Sequence, residues 1–184
     1  KEENLPVVLS QEEVQKMFSV CTNTKHKVVI ALLYATGLRS NELINLKWSH
    51  IDRSRMIINV VKGKGAKDRQ LMLPQDLIPL LEKYYREYRS KEYVLNGWKD
   101  ELQYTKRSVL EVVKQLGEKA GLSKRVYTHL MRHNCFTHMA ENGTDIRLIQ
   151  RLAGHKKSST TDLYLHLSHN HISKIVSPLS SIQL

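Results

Sequence analysis

Apolar residues recur at three- and four-residue intervals through most of the chain, the spacing of one face of a helix. Ser10-Gln11-Glu12-Glu13 stands before Val14, Met17, Phe18 and Cys21. A Ser hydroxyl and a Glu carboxylate three residues on satisfy each other's backbone amides, so an amphipathic helix starts here. From Thr24 to Thr36 the pattern changes. Val28 to Leu33 is a continuous apolar run, which predicts a helix buried on all sides and stopped by Gly37. A short helix from Ser40 carries Leu43, Ile44 and Leu46. The segment from Asp76 to Arg89 puts Leu77, Leu80, Leu81, Tyr84, Tyr85 and Tyr88 on one broad face. Thr105 to Ala120, with Val109, Val112, Val113 and Leu116, is closed by Gly121. A further helix runs from Thr128, read as its N-cap, to the Asn142-Gly143 break. Another spans Thr144 to Leu152, ahead of Gly154. Ser158 to Thr161 caps a helix containing Tyr164, and a last helical stretch passes Ile172, Ile175 and Val176 to Pro178.

One region reads as a pair of strands, and Tyr93 to Leu95 as a short extended segment before the Asn96-Gly97 turn. Met56 to Val61 is rich in β-branched residues, Arg69 to Leu73 follows, and Lys62-Gly63-Lys64-Gly65-Ala66-Lys67-Asp68 joins them. That is a β-hairpin with a basic, glycine-rich tip. The fold class is therefore mainly α with a small antiparallel β-hairpin or sheet. Trp48 and Ile51 read as core anchors, and the tyrosine stripe reads as core rather than as a base-stacking platform. One domain is expected over 10–184, with 1–9 as an extended lead-in from an upstream domain and a tail over about 169–184.

Composition narrows the function. Lys plus Arg number 29 against 18 Asp plus Glu among 184 residues, a net charge of +11. That excess calls for nucleic acid or an anionic membrane surface. No apolar run approaches the roughly 20 residues of a membrane span, and the basic residues are dispersed rather than gathered on one amphipathic helix. Nucleic acid is the better partner. Cys21 and Cys135 lack CxxC spacing and are expected to be buried free thiols in a reducing, cytoplasmic compartment. No signal peptide is visible. His129 and His133 stand four apart, but Leu130 occupies the place of the glutamate in a HExxH zinc site. No metal or cofactor is expected.

The stretch Thr128-His129-Leu130-Met131-Arg132-His133 carries the clearest chemistry. His129, Arg132 and His133 share one face of a helix in its first turns. An imidazole and a guanidinium presented there, beside the partial positive charge of the helix end, suit a phosphate.

The series continues along the chain: Arg39 in Thr36-Gly-Leu-Arg-Ser-Asn-Glu-Leu43, Lys64 in the hairpin tip, His129 and Arg132, His155 after Leu152-Ala-Gly, and Tyr164 in Thr160-Thr-Asp-Leu-Tyr-Leu-His166. In this order and spacing it resembles the catalytic domain of the tyrosine recombinases, the phage-integrase and Xer type, from about Ser10 to Leu167. The resemblance implies DNA strand cleavage and rejoining without metal or ATP. Tyr164 would attack the scissile phosphate and form a 3′-phosphotyrosyl link. Arg39 and Arg132 would clamp its non-bridging oxygens, His129 would accept or relay the tyrosine proton, and His155 would hydrogen-bond a phosphate oxygen. Lys64 would protonate the leaving 5′-oxygen, with Lys62 and Lys67 as neighbours that could be mistaken for it. Glu42 either orients Arg39 or is a solvated surface carboxylate. His133 reads as structural, and Lys62, Lys67 and Arg69 as DNA contacts.

Departures from the family pattern stand at Met131, Ala153, Asn134, Cys135 and Phe136, and they bear on packing. Partners implied are double-stranded DNA at a specific recombination site and a homotetramer on it, in a bacterial, nucleoid-associated setting. The tail from His169 to Leu184 would dock on a neighbouring protomer through Ile172, Ile175 and Val176, or else pack in cis. Residues 1–9 would lead in from an N-terminal core-binding domain. The alternatives are a type IB topoisomerase-like enzyme, or a non-catalytic DNA-binding module of the same fold.

Overall fold

The computed structural model describes residues 8–61, 68–97, 102–154 and 176–183. Seven helices and one sheet follow in the described chain: α1 (Gln11–Ser19), α2 (Thr24–Thr36), α3 (Ser40–Ile44), β1 (Ile51–Asp52), β2 (Ile57–Val60), β3 (Arg69–Met72), α4 (Leu77–Tyr88), α5 (Lys106–Lys119), α6 (Thr128–Glu141) and α7 (Ile146–Ala153). A 3-10 turn lies at Trp48–His50 and another at Pro178–Ser181. Among the described residues no helix is long and apolar enough to cross a membrane.

α2 is the axis of the domain. Every residue from Val28 to Thr36 is buried, and α4, α5 and α6 pack around it. It ends at Gly37, whose φ of 64° is left-handed. A Cβ at Gly37 would lie 2.5 Å from the Phe136 ring, so only glycine fits. α1 starts on the expected capping box: Ser10 Oγ accepts the Glu13 amide at 3.2 Å and Glu13 Oε2 accepts the Ser10 amide at 2.7 Å.

The lead-in is more than a linker at its end. Leu9 is fully buried, worth about 1.5–3 kcal/mol for such a side chain. Its amide donates to Asn134 Oδ1 at 3.1 Å. Its carbonyl pairs with Nε2 of the buried His138, whose Nδ1 meets the Tyr34 hydroxyl at 2.7 Å. Asn134, a departure from the family pattern, thus clasps the chain before α1 to α6.

The sheet has three strands rather than two, all antiparallel in the order β1-β2-β3. Ile51 pairs with Ile58, and Val60 with Arg69. A two-residue strand has no period to detect, which hid β1 from the sequence. Met56 belongs to the β1–β2 turn, with φ 55°. Asp52 Oδ1 holds that turn by accepting from the Ser54 hydroxyl and the Arg55 amide.

The tyrosine stripe of α4 divides. Tyr84 is fully buried, with its hydroxyl on Asn96 Oδ1 at 2.9 Å, and stacks on Tyr88 at 4.8 Å. Tyr85 is exposed but meets Trp48 edge-on. Trp48 is half-buried, its indole N–H donating to Ser90. At the far end of the chain Ser177 to Ile182 packs in cis against α2 and α6, with Leu179 fully buried. Gln183 and Gln15 close the contact through reciprocal hydrogen bonds. Val176 is exposed, and Ile172 and Ile175 lie outside the described residues. Cys21 and Cys135 are buried free thiols.

Candidate active site

The α2–α3 connection and the start of α6 face each other across a cavity of about 300 Å³, lined by Leu38, Arg39, Ser40, Asn41, Lys106, Thr128, His129 and Arg132. Three residues singled out from the sequence therefore meet: Arg39, His129 and Arg132. The Ser40 hydroxyl donates to Thr128 Oγ1 at 2.9 Å and ties the two walls together.

Thr128 is the first residue of α6 and not its cap. The N-cap is Tyr127, with no side-chain hydrogen bond to the first turn. Ser40 engages the Thr128 hydroxyl instead. The first turn of α6 thus keeps its positive character toward the cavity, which favours an anion.

Arg132 is buried. Its guanidinium donates to the carbonyl oxygens of Gly37 and Ala153 and lies 4.8 Å from the Phe136 ring centroid. These contacts use two of five N–H donors and fix the plane of the fork. Burial, then the charges of Arg39 and Arg69, lowers its pKa to about 10, so it is still charged at neutral pH.

Arg39 is more exposed. Nη1 donates to Glu42 Oε1 at 3.0 Å and Nη2 to the Ala153 carbonyl at 3.1 Å. Glu42 is therefore no solvated carboxylate: its side chain is only 8% exposed, and it also accepts the Arg39 amide at 2.8 Å.

Arg69, expected as a DNA contact, has its guanidinium engaged within the protein. It is 10% exposed. Nη1 and Nη2 donate to the two oxygens of Glu42 at 2.6 and 2.8 Å, and Nε donates to the Leu152 carbonyl at 2.9 Å. A planar fork on a carboxylate is the geometry arginine favours. Burial alone would push the Glu42 carboxyl up. The hydrogen bonds from Arg69 and from the Arg39 amide, with the Arg69 charge, outweigh it and hold the pKa at about 2.

His129 is exposed at the cavity and His133 is half-buried away from its lining, so the shared helix face separates into two environments. Lys62, Lys64, Lys67, His155 and Tyr164 lie outside the described residues.

Sequence reasoning missed Lys106 and Asn41. Lys106 opens α5, followed by Arg107, with no acidic residue in that first turn. A basic pair there opposes the helix dipole; that opposition was the available signal.

A model of the phage integrase family matches residues 7–171. The chain belongs to that family. Among family relatives, it is 42% identical over 179 residues to tyrosine recombinase XerA of Thermococcus onnurineus, covering 93% of this chain and 62% of the relative. A crystal structure of XerA recombinase superimposes with a TM-score of 0.78 at 31% identity, over 94% of this chain and 63% of that one. XerH site-specific recombinase bound to its difH substrate shares the fold, with a TM-score of 0.71 at 23% identity, over 85% of this chain and 50% of that one. The chain thus spans about three fifths of the length of the XerA relatives. Its fold is that of a tyrosine recombinase catalytic domain.

Proposed function

We propose that this chain is the catalytic domain of a site-specific DNA recombinase. The observation that carries the reading is the convergence of Arg39, Arg132 and His129 on one cavity. Two guanidinium groups, preset on backbone carbonyls before any ligand arrives, suit the negative charge that builds on a five-coordinate phosphorus. They supply it without a metal ion.

In the reaction the Tyr164 oxygen bonds to phosphorus while the bond from phosphorus to the 5′-oxygen breaks. His129 takes or relays the phenol proton, and Lys64 gives a proton to the departing 5′-oxygen. The product is a 3′-phosphotyrosyl link and a free 5′-hydroxyl. Attack by a partner strand's hydroxyl returns the phosphate to DNA and the proton to the phenolate. The link conserves the phosphodiester energy, so no ATP is consumed. His155 hydrogen-bonds a phosphate oxygen. The roles of Tyr164, Lys64 and His155 rest on the sequence pattern.

The partner is double-stranded DNA, a reading supported by the +11 net charge and the DNA-bound relative. The working assembly is a homotetramer on paired sites, with an N-terminal core-binding domain upstream. Trans docking belongs to the segment through Ile172, Ile175 and Val176; the exposure of Val176 supports this, whereas Ser177 to Ile182 packs in cis. The setting is a cytoplasm, on the nucleoid.

The test is covalent trapping on nicked duplexes from the ends of the element that carries the gene, without metal, beside Tyr164→Phe. A denaturation-resistant protein–DNA adduct, lost in the variant, is expected. DNA binding without any adduct would favour a non-catalytic module. Cleavage without strand exchange between two duplexes would favour a topoisomerase.

A further inference from the structure

Glu42 is an awkward neighbour for an anion site. Its carboxylate touches Arg39 twice, through Nη1 and through the backbone amide. A carboxylate in that position competes with a phosphate for the same guanidinium. Left alone with Arg39, Glu42 would cancel its charge and hold it back from the cavity. The structure supplies a third party. Arg69, from the start of β3, covers both Glu42 oxygens at 2.6 and 2.8 Å.

We infer that Arg69 is a positioning residue whose charge neutralises Glu42 and so leaves Arg39 free to hold a phosphate. It does not line the cavity. With it, three guanidinium charges stand against one carboxylate, and the cluster keeps a net excess of two positive charges beside the cavity. Without it, the excess falls to one and Glu42 binds Arg39 unopposed. The same side chain donates to the Leu152 carbonyl, one residue before the Ala153 oxygen that seats Arg39 and Arg132. Arg69 therefore joins β3, α3 and the end of α7 at the floor of the site. This deepens the recombinase reading and rests on it for the identity of the natural anion, DNA phosphate.

The electrostatic claim separates from a structural one because charge can be restored while geometry is not. The probe is inorganic phosphate, titrated at low ionic strength into the chain while the Arg Nε–H signals are followed by NMR. Arg69→Met is expected to weaken phosphate binding by about threefold to thirtyfold, the Coulomb effect of one charge several ångströms away at intermediate dielectric. Arg69→Lys keeps the charge and should stay within about threefold of the parent. The double variant Glu42→Gln/Arg69→Met removes both partners of the buried pair, which is near-neutral for folding, and leaves the same two-charge excess. It should recover the parent affinity.

A double variant as weak as Arg69→Met would overturn the inference, since geometry rather than charge would then be at work. Wild-type phosphate affinity unmoved by Arg69→Met would do so as well, as would no phosphate binding by the parent at all. The adduct assay is read separately. Charge-dependent phosphate binding without any adduct defeats the recombinase reading and leaves the Arg69 inference standing; an adduct with charge-independent phosphate binding does the reverse.

Discussion

Arg39 and Arg132 donate to one and the same acceptor, the carbonyl oxygen of Ala153. Two like charges brought together would repel, and the shared oxygen helps to hold them. The C-terminus of α7 supplies it, where the partial charge is negative. Ala153 is a departure from the family pattern, but the contact uses its backbone, so the change of side chain leaves the clamp intact.

Gly37 should tolerate no side chain. Gly37→Ala would place a Cβ 2.5 Å from the Phe136 ring at a φ of +64°. Overpacking and left-handed strain together are expected to cost about 1–4 kcal/mol. Urea denaturation checks the loss. Because the Gly37 carbonyl seats Arg132, adduct formation should fall further than the remaining folded fraction accounts for.

The Glu42 cluster makes stability depend on acid. The carboxyl's pKa is lowered on folding from its ordinary 4.5 to about 2. A carboxyl lowered in this way stabilises the fold while ionised. The contribution is complete above the unfolded value and is lost as pH falls from about 4.5 toward 2. Glu42→Ala, which strands the buried Arg69, should cost about 3–5 kcal/mol at neutral pH. The gap between parent and Glu42→Gln in denaturation midpoint should narrow as pH falls through that window. A gap that stays constant down to pH 2 would contradict the assignment.

Tyr34→Phe tests the buried polar chain. The hydroxyl meets His138 Nδ1 at 2.7 Å, and burial pushes its phenol pKa well above the ordinary range. Removing the hydroxyl leaves a buried ring nitrogen unsatisfied, at about 1–3 kcal/mol. The loss should show in thermal unfolding, with phosphate affinity unchanged because neither residue lines the cavity.

Lys106 should contact DNA backbone if the cavity takes a phosphate. Lys106→Ala is expected to weaken binding to all duplex sequences alike and to reduce the slope of log affinity against log salt by about 1. Binding titrations at several salt concentrations decide it. An unchanged slope would place Lys106 outside the interface.

Much of the fold was legible because its signals are short-range. The Ser10–Glu13 box, the apolar run of α2, the Gly37 stop and the glycine-bounded helices are each written within a few residues. β1 was not legible, since two residues carry no period. The anchoring of Leu9 was not legible either, because its backbone is held by Asn134 and His138 of α6, contacts with no local trace.

The site divides in the same way. Residue type and spacing were enough to nominate His129 and Arg132 on one helix face, and the family pattern added Arg39, Glu42, Lys64, His155 and Tyr164. What each arginine does was decided by tertiary structure. Arg69 sits in a basic hairpin and reads as a DNA contact, yet a carboxylate 27 residues away claims its fork. His129 and His133 share a helical face, yet only one lines the cavity. Lys106 enters the site from a helix that the motif never mentions. Sequence by itself determined the helices of the described residues, the family and the inventory of charge. Only the folded chain decided which charges cancel and which remain for a ligand, because electrostatic pairing depends on distance in space, and the partners come from elements that local patterning cannot bring together.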